Sequence, residues 1–255
     1  MRRCHCNIRT FLLAIAVAMG VAGCGAASAP APGTSKPPTP PVDPAVAFTQ
    51  YEKAATPWEC SRAFAAMIDA ARKPDHAAVK DHSGAQRDIV ATWDTELGAI
   101  AFPTAEQPII DRMRQHNTAE LSTLAELVGV DVKDAERVDA LELQVELVEA
   151  LLSVEGDGLR AALGHPVPPA GVAADQLQVA DLRFYQSTVD ASAKWKSALA
   201  ANDLNAAKAA NVIEEDAAQV YLDRLGTIDW PPGFDDQVNA LRNRLHERID
   251  RKSVV

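Results

Sequence analysis

Cysteine is too scarce here for a disulfide framework: four occur, at positions 4, 6, 24 and 60. Aromatic residues make up only 5% of the chain, and no stretch sustains the polar–apolar alternation of a half-buried strand. Together these absences exclude a sheet-based fold. Basic charge is outnumbered, 25 Lys and Arg against 35 Asp and Glu, for a net charge of −10. Such an acid excess argues against nucleic acid and against a general electrostatic grip on anionic lipid. Catalytic and metal-binding patterns are missing as well. There is no Cys-x-x-Cys, no His-Glu-x-x-His, no Gly-x-Ser-x-Gly and no P-loop lysine. Without those spacings nothing recommends a metal centre, a cofactor or an activated nucleophile.

The N-terminus is more informative. Arg2, Arg3 and Arg9 form a basic segment without acids, and Phe11 to Val21 is an apolar run of about eleven residues. That run suits a signal-peptide core and falls short of the roughly twenty residues needed to span a bilayer. Val21-Ala22-Gly23-Cys24 follows at once. This resembles the lipobox of bacterial lipoproteins, with Val in place of the commoner Leu. The resemblance implies that residues 1–23 are a cleaved signal and that Cys24 is acylated and becomes the first mature residue. Removing three arginines leaves a mature charge of 22 − 35 = −13. Cys4 and Cys6 leave with the signal, so Cys60 remains without an intramolecular partner for a disulfide. Residues 24–44 then form a lipid-anchored linker rich in proline and small residues. It favours extended polyproline II at about 3.1 Å per residue, enough for a tether of roughly 60 Å.

Beyond Pro44 the apolar residues recur at helical spacing throughout. The pattern predicts an all-α protein of about seven helices, near 44–72, 75–100, 105–128, 131–162, 174–201, 203–228 and 233–251. Prolines and glycines punctuate them. The organisation expected is tandem antiparallel helical bundles, a four-helix unit over 45–163 and a three-helix unit over 174–252. An internal duplication supports it. Leu97-Gly98-Ala99-Ile100-Ala101-Phe102-Pro103 matches Leu225-Gly226-Thr227-Ile228-Asp229-Trp230-Pro231 at an offset of 225 − 97 = 128. The same offset pairs Asp75 with Asp203, Trp93 with Tyr221, Ile110 with Val238 and Met113 with Leu241. Asp75 and Asp203 sit where helices begin and suit N-caps. Thr104-Ala105-Glu106-Gln107 has the spacing of a capping box. The residues before Pro103 and Pro231 are pushed out of the helical region, which ends their helices. Leu97 and Leu225, Ile100 and Ile228, and Met113 and Leu241 are expected in the core. Asn117 stands opposite the core residue Leu245; its neighbours His116, Thr118 and Glu120 are polar, so it is expected to face solvent. Val138, Leu141, Val145, Val148 and Leu152 make a 3,4 seam, and Leu143, Leu147, Leu151 and Val154 widen it. That helix should be buried on two sides and could bridge the units.

Other candidate residues read as structural. His76, His82, His116, His165 and His246 share no ligand spacing. Cys60 falls on a face with Ala63, Met67 and Ala71, as a buried small hydrophobe. Glu214-Glu215-Asp216, Asp229 and Asp235-Asp236 look like solvated acids without calcium-loop spacing. Gly156-Asp157-Gly158 lacks the features of a phosphate loop. The lipobox, the proline-rich tether and the Ala-rich acidic helices resemble an uncharacterised cell-envelope lipoprotein of actinobacteria, mycobacterial in character. That resemblance implies a location, lipid-anchored on the extracytoplasmic side of the cell membrane. The expected function is non-enzymatic: a binding or interaction module for an envelope protein or an apolar ligand. The alternative is a carrier of a small apolar ligand or lipid between the units, in a cavity lined by Trp93, Phe102, Trp195 and Trp230.

Overall fold

The computed structural model describes residues 42–252; Cys24, the lipobox and most of the tether lie outside them. The chain forms helices α1 (Pro44–Glu59), α2 (Arg62–Ala71), α3 (His76–Ala99), α4 (Gln107–Gly129), α5 (Ala135–Ala162), α6 (Pro169–Ala200), α7 (Leu204–Thr227) and α8 (Asp235–Lys252). Among the described residues there is no strand. The all-α expectation therefore holds.

Three local expectations need correction. The segment 44–72 is two helices. Pro57 removes one N–H inside α1, and Ser61 Oγ accepts the Phe64 N–H at 3.1 Å to start α2 anew. Cys60 thereby falls at the end of α1, half-buried, and not on a continuous face with Ala63, Met67 and Ala71. The capping box at Thr104 does not form. Thr104–Glu106 make a short 3-10 turn with no side-chain cap, and α4 opens at Gln107-Pro108, where proline removes a donor that would need capping. Finally, α6 begins at Pro169, not near 174, so Ala170 to Ala173 are helical and Ala173 is buried.

Helix ends elsewhere follow the local chemistry. Asp43, Asp75, Asp134 and Asp203 each accept a first-turn N–H of α1, α3, α5 and α7. Gly164 closes α5 at φ +86, with His165 N–H bonded to Arg160 O at 2.8 Å, a left-handed turn that suits glycine.

Two hydrophobic clusters result. The larger joins α1 to α5 around Tyr51, Trp58, Trp93, Leu97, Met113 and Leu152. The smaller joins α6, α7 and α8 around Ala180, Tyr221, Leu222, Leu225 and Leu245. Helix α5 packs on α4 and, less extensively, on α3 and α2; it also packs on α6. Its seam residues Val138, Leu141, Val145, Val148 and Leu152 are all buried, as their spacing predicts. It is the bridge between the two clusters.

The 128-residue register survives in three dimensions. Helices α3 and α7 begin 128 residues apart and are both 24 residues long. Asp75 N–H bonds Ala70 O, and Asp203 N–H bonds Ala198 O, the same turn at the same offset. Gly98 is approached by the Arg114 guanidinium and Gly226 by that of Arg242, again 128 apart. Leu97 and Leu225 are both fully buried, and Trp93 and Tyr221 both lie in a stacked aromatic pair. The match is looser at the edges: Ile100 is half-buried where Ile228 is buried, and Leu241 is half-buried where Met113 is buried. The split helix α1–α2 occupies the position that α6 takes as one continuous rod.

Asn117 is not at the surface. It is fully buried, its Nδ2 donating to Asp94 Oδ1 at 3.0 Å. The α4 stripe runs Met113, Asn117, Glu120, Leu124, Leu127, all of them buried. The polar neighbours that suggested solvent are split: Thr118 faces out, His116 is half-buried, and Glu120 faces in with Asn117.

Gly156 lies inside α5 against α1. A Cβ there would stand 2.7 Å from the hydroxyl of Tyr51, a rigid and fully buried ring. A Cβ on Gly158, two residues on, would meet nothing within 4 Å. Gly156→Ala is therefore expected to lose about 1–3 kcal/mol from overpacking, which outweighs the roughly 1 kcal/mol that alanine adds to a helix. Gly158→Ala should keep that gain and raise the melting temperature. Equal thermal denaturation of the two variants would refute the Tyr51 contact.

Candidate functional site

Polar side chains occur inside the first unit at places where the apolar stripes of four helices meet. On α3 the stripe Val79, Ser83, Gln86, Val90, Trp93, Leu97 is buried throughout. Gln86 Nε2 donates to Glu149 Oε1 of α5 at 2.7 Å, and Ser61 Oγ donates to Gln86 Oε1 at 2.5 Å. Glu120 of α4 lies against Glu149, and neither of its oxygens meets a donor at good hydrogen-bond geometry. The Trp58 and Trp93 rings stack beside this chain with centroids 4.3 Å apart.

Burial, then the neighbouring Glu149, drives the Glu120 carboxyl well above the usual carboxylate range. Burial also pushes Glu149 up, to about 7, held from rising further by Glu120, Trp58 and Gln86. Two carboxyls side by side in a low dielectric cannot both ionise, so the pair shares a proton at neutral pH. Glu120 is 0% exposed and Glu149 9%. The pair is almost wholly shielded from solvent, so its protonation is coupled to folding.

A second buried cluster centres on Arg160 of α5. Its Nε donates to Glu52 at 2.7 Å, its Nη2 to Glu59, and Asp157 lies 3.7 Å away. Its guanidinium also stands 5.2 Å from the centroid of the Tyr51 ring. This arrangement ties α1 to the end of α5.

The candidate binding site is an open cleft of about 380 Å³ on the second unit, between α6 and α7. Phe184 and Tyr221, stacked with centroids 5.0 Å apart, supply its aromatic wall. Arg183, Arg224, Ser187 and Asp216 supply its polar edge. Tyr221 donates to Asp181, so its hydroxyl is already engaged; burial and that bond push its pKa up. Burial and the nearby Arg224 lower the Arg183 pKa. Two guanidiniums thus share one cleft, with the carboxylate of Asp216 also among its lining residues. His116 of α4 lies near Arg183; burial holds its pKa down although Glu155 opposes it, and Arg183 and Arg112 add to the lowering, so it stays neutral. Arg112 itself is held by Glu155 at 2.8 Å. Such a cleft can take a small anion carried on an apolar body, since paired guanidiniums suit carboxylate or phosphate oxygens.

The residues singled out from sequence fall elsewhere. Trp93 is in the first core, Phe102 and Trp230 are half-buried against the first and second clusters, and Trp195 is 40% exposed on α6. They do not line one cavity. His76 pairs with Asp139 at 3.2 Å. Asp235 and Asp236 lie in the first turn of α8. Among the described residues no group of three or more His, Cys, Asp or Glu is placed to hold a metal ion, and no helix is long and apolar enough to cross a membrane. The residues that matter were legible in part. Gln86, Asn117 and Glu120 interrupt apolar stripes at core spacing, and a polar residue in such a register is the signal for a buried network. Arg183 and Arg224 carry no such mark.

The geometry defines an all-α protein of two linked helical bundles with an arginine-edged cleft on the second. No known protein family, curated protein or solved structure matches the chain.

Proposed function

We propose that this chain is a lipoprotein anchored through Cys24 on the extracytoplasmic face of the cell membrane, where it works as a non-catalytic binding module. Its ligand site is the α6–α7 cleft, and its ligand is a small anion with an apolar portion. The observation that carries this reading is Arg183 beside Arg224 at the edge of a cleft walled by the Phe184–Tyr221 stack. Two like charges held side by side repel, and a bound anion would relieve that repulsion.

The test is recovery of ligand from the native membrane. The chain, isolated from the membrane fraction, should carry a small anionic molecule detectable by native mass spectrometry. Arg183→Gln with Arg224→Gln should lose it, by roughly tenfold or more for two charge-assisted contacts, while the helical spectrum is unchanged. Cys24→Ala should move the chain out of the membrane fraction. Retention of the same ligand by the double variant would refute the site. Retention of Cys24→Ala in the membrane fraction would leave the anchor without support.

A further inference from the structure

The two halves of the duplication differ most at the turn between their long helices. In the first half, the α2–α3 turn is enclosed: Met67 and Val79 are fully buried and Ile68 nearly so, with α5 packed on both helices. In the second half the equivalent hairpin, the end of α6 and the start of α7, has no such cover among the described residues. Helix α7 packs on α6 and α8. From 192 to 209 only Ala198 and Ala207 are buried. The hairpin is zipped by small alanines, and everything larger points outward.

What points outward is not the polar set an exposed tip calls for. Trp195 is 40% exposed, Leu199 42% and Leu204 65%. Trp195 stands 128 residues after the fully buried Met67, so a large apolar side chain occupies a core register with nothing over it. The charge is equally out of character. Residues 191–209 hold Lys194, Lys196 and Lys208 against Asp203 alone, a local +3 − 1 = +2, in a chain whose total is −10. Asp203 is moreover occupied, accepting the Asn205 and Ala206 N–H groups as the cap of α7. All three lysines are exposed.

We propose that the α6–α7 hairpin tip is a membrane contact that inserts Trp195, Leu199 and Leu204 into the interfacial layer of an anionic bilayer, with Lys194, Lys196 and Lys208 on the headgroups. Tryptophan suits this layer because its ring is apolar and its N–H finds water or headgroup oxygen. Lysine suits it because its stem lies along the apolar surface while its ammonium reaches the phosphates. The Lys-Trp-Lys order around Trp195 places both features on one turn. The acidic remainder of the molecule is repelled by the same surface, which orients the protein tip-down. This contact is separate from the anchor and from the α6–α7 cleft.

The experiment mixes the full chain with vesicles of phosphatidylcholine alone or doped with phosphatidylglycerol. The N-terminus is the same in every variant, so its contribution cancels. Binding to the anionic vesicles should fall about tenfold or more in Lys194→Glu/Lys196→Glu/Lys208→Glu, given roughly a fivefold contribution per lysine near such a surface. Trp195→Ala/Leu199→Ala/Leu204→Ala should lower it similarly and abolish quenching of tryptophan emission by brominated lipid. All six side chains are exposed, so an unchanged helical spectrum is expected and serves as the folding control. Equal binding of parent and variants to anionic vesicles overturns the proposal. So does protection of residues 191–209 from amide exchange that grows with protein concentration without lipid, which would assign the tip to a second copy of the chain.

Discussion

Glu149→Gln is expected to stabilise the protein by about 3 kcal/mol at pH 8 and by almost nothing near pH 4.5. The reason is the buried carboxyl pair. Burial raises Glu149 to about 7 in the folded chain, from an ordinary value of 4.5. Between those two values the folded state holds a proton that the unfolded state has released. Stability is therefore complete below about pH 4.5 and falls as pH rises to about 7, with no further loss from this group above that. The order of magnitude follows from that rise at about 1.4 kcal/mol per tenfold change in proton affinity. Glutamine keeps the oxygen that accepts from Gln86 and supplies a donor toward Glu120, so the network persists without its charge. Glu142 and Glu146, one to two turns earlier on α5, add to the same slope, since burial raises both and Glu142 reaches about 8. Urea unfolding at a series of pH values checks the prediction. A parent protein that gains stability from pH 5 to pH 7 would show that the pair is not protonated in the fold.

Arg160→Leu should be the most damaging single change, at about 3–5 kcal/mol. Arg160 is 9% exposed at its side chain and satisfies Glu52 and Glu59 of α1 while facing Asp157, itself 4% exposed. Removing the cation leaves three carboxylates close together and partly desolvated, a larger loss than the attraction alone. Adding Glu59→Gln to Arg160→Leu should recover part of the loss, because the repulsion falls with the charge. The urea midpoint of the two variants tests this. A loss under about 1 kcal/mol for Arg160→Leu would mean that the cluster behaves as an exposed surface pair.

What could be read directly from the order of residues was whatever depends on near neighbours. Helical spacing, the Asp75 and Asp203 caps, the stops before Pro103 and Pro231, and the seam on α5 are all decided within a turn or two. The duplication was legible for the same reason, since a repeated local pattern needs no knowledge of the fold. Even there a single local detail changed an element. Pro57 and the Ser61 cap divide 44–72 into two helices, although the apolar spacing runs on through the break.

Tertiary structure decided which polar groups lie inside and which apolar ones lie outside. Asn117 and Glu120 have the composition of a solvated face, yet their register with Met113 and Leu124 turns them into the core, where Asp94 meets Asn117 and Gln86 and Glu149 meet Glu120. Glu52 and Arg160 are 108 residues apart and become partners only because α1 lies along α5. Trp195 repeats the register of buried Met67, but among the described residues no helix covers it as α5 covers the α2–α3 turn. Burial is a property of what packs alongside, and a side chain's own identity and spacing do not contain its neighbour. That is why the helices follow from sequence alone, whereas the proton-sharing pair, the arginine-edged cleft and the exposed hairpin tip do not.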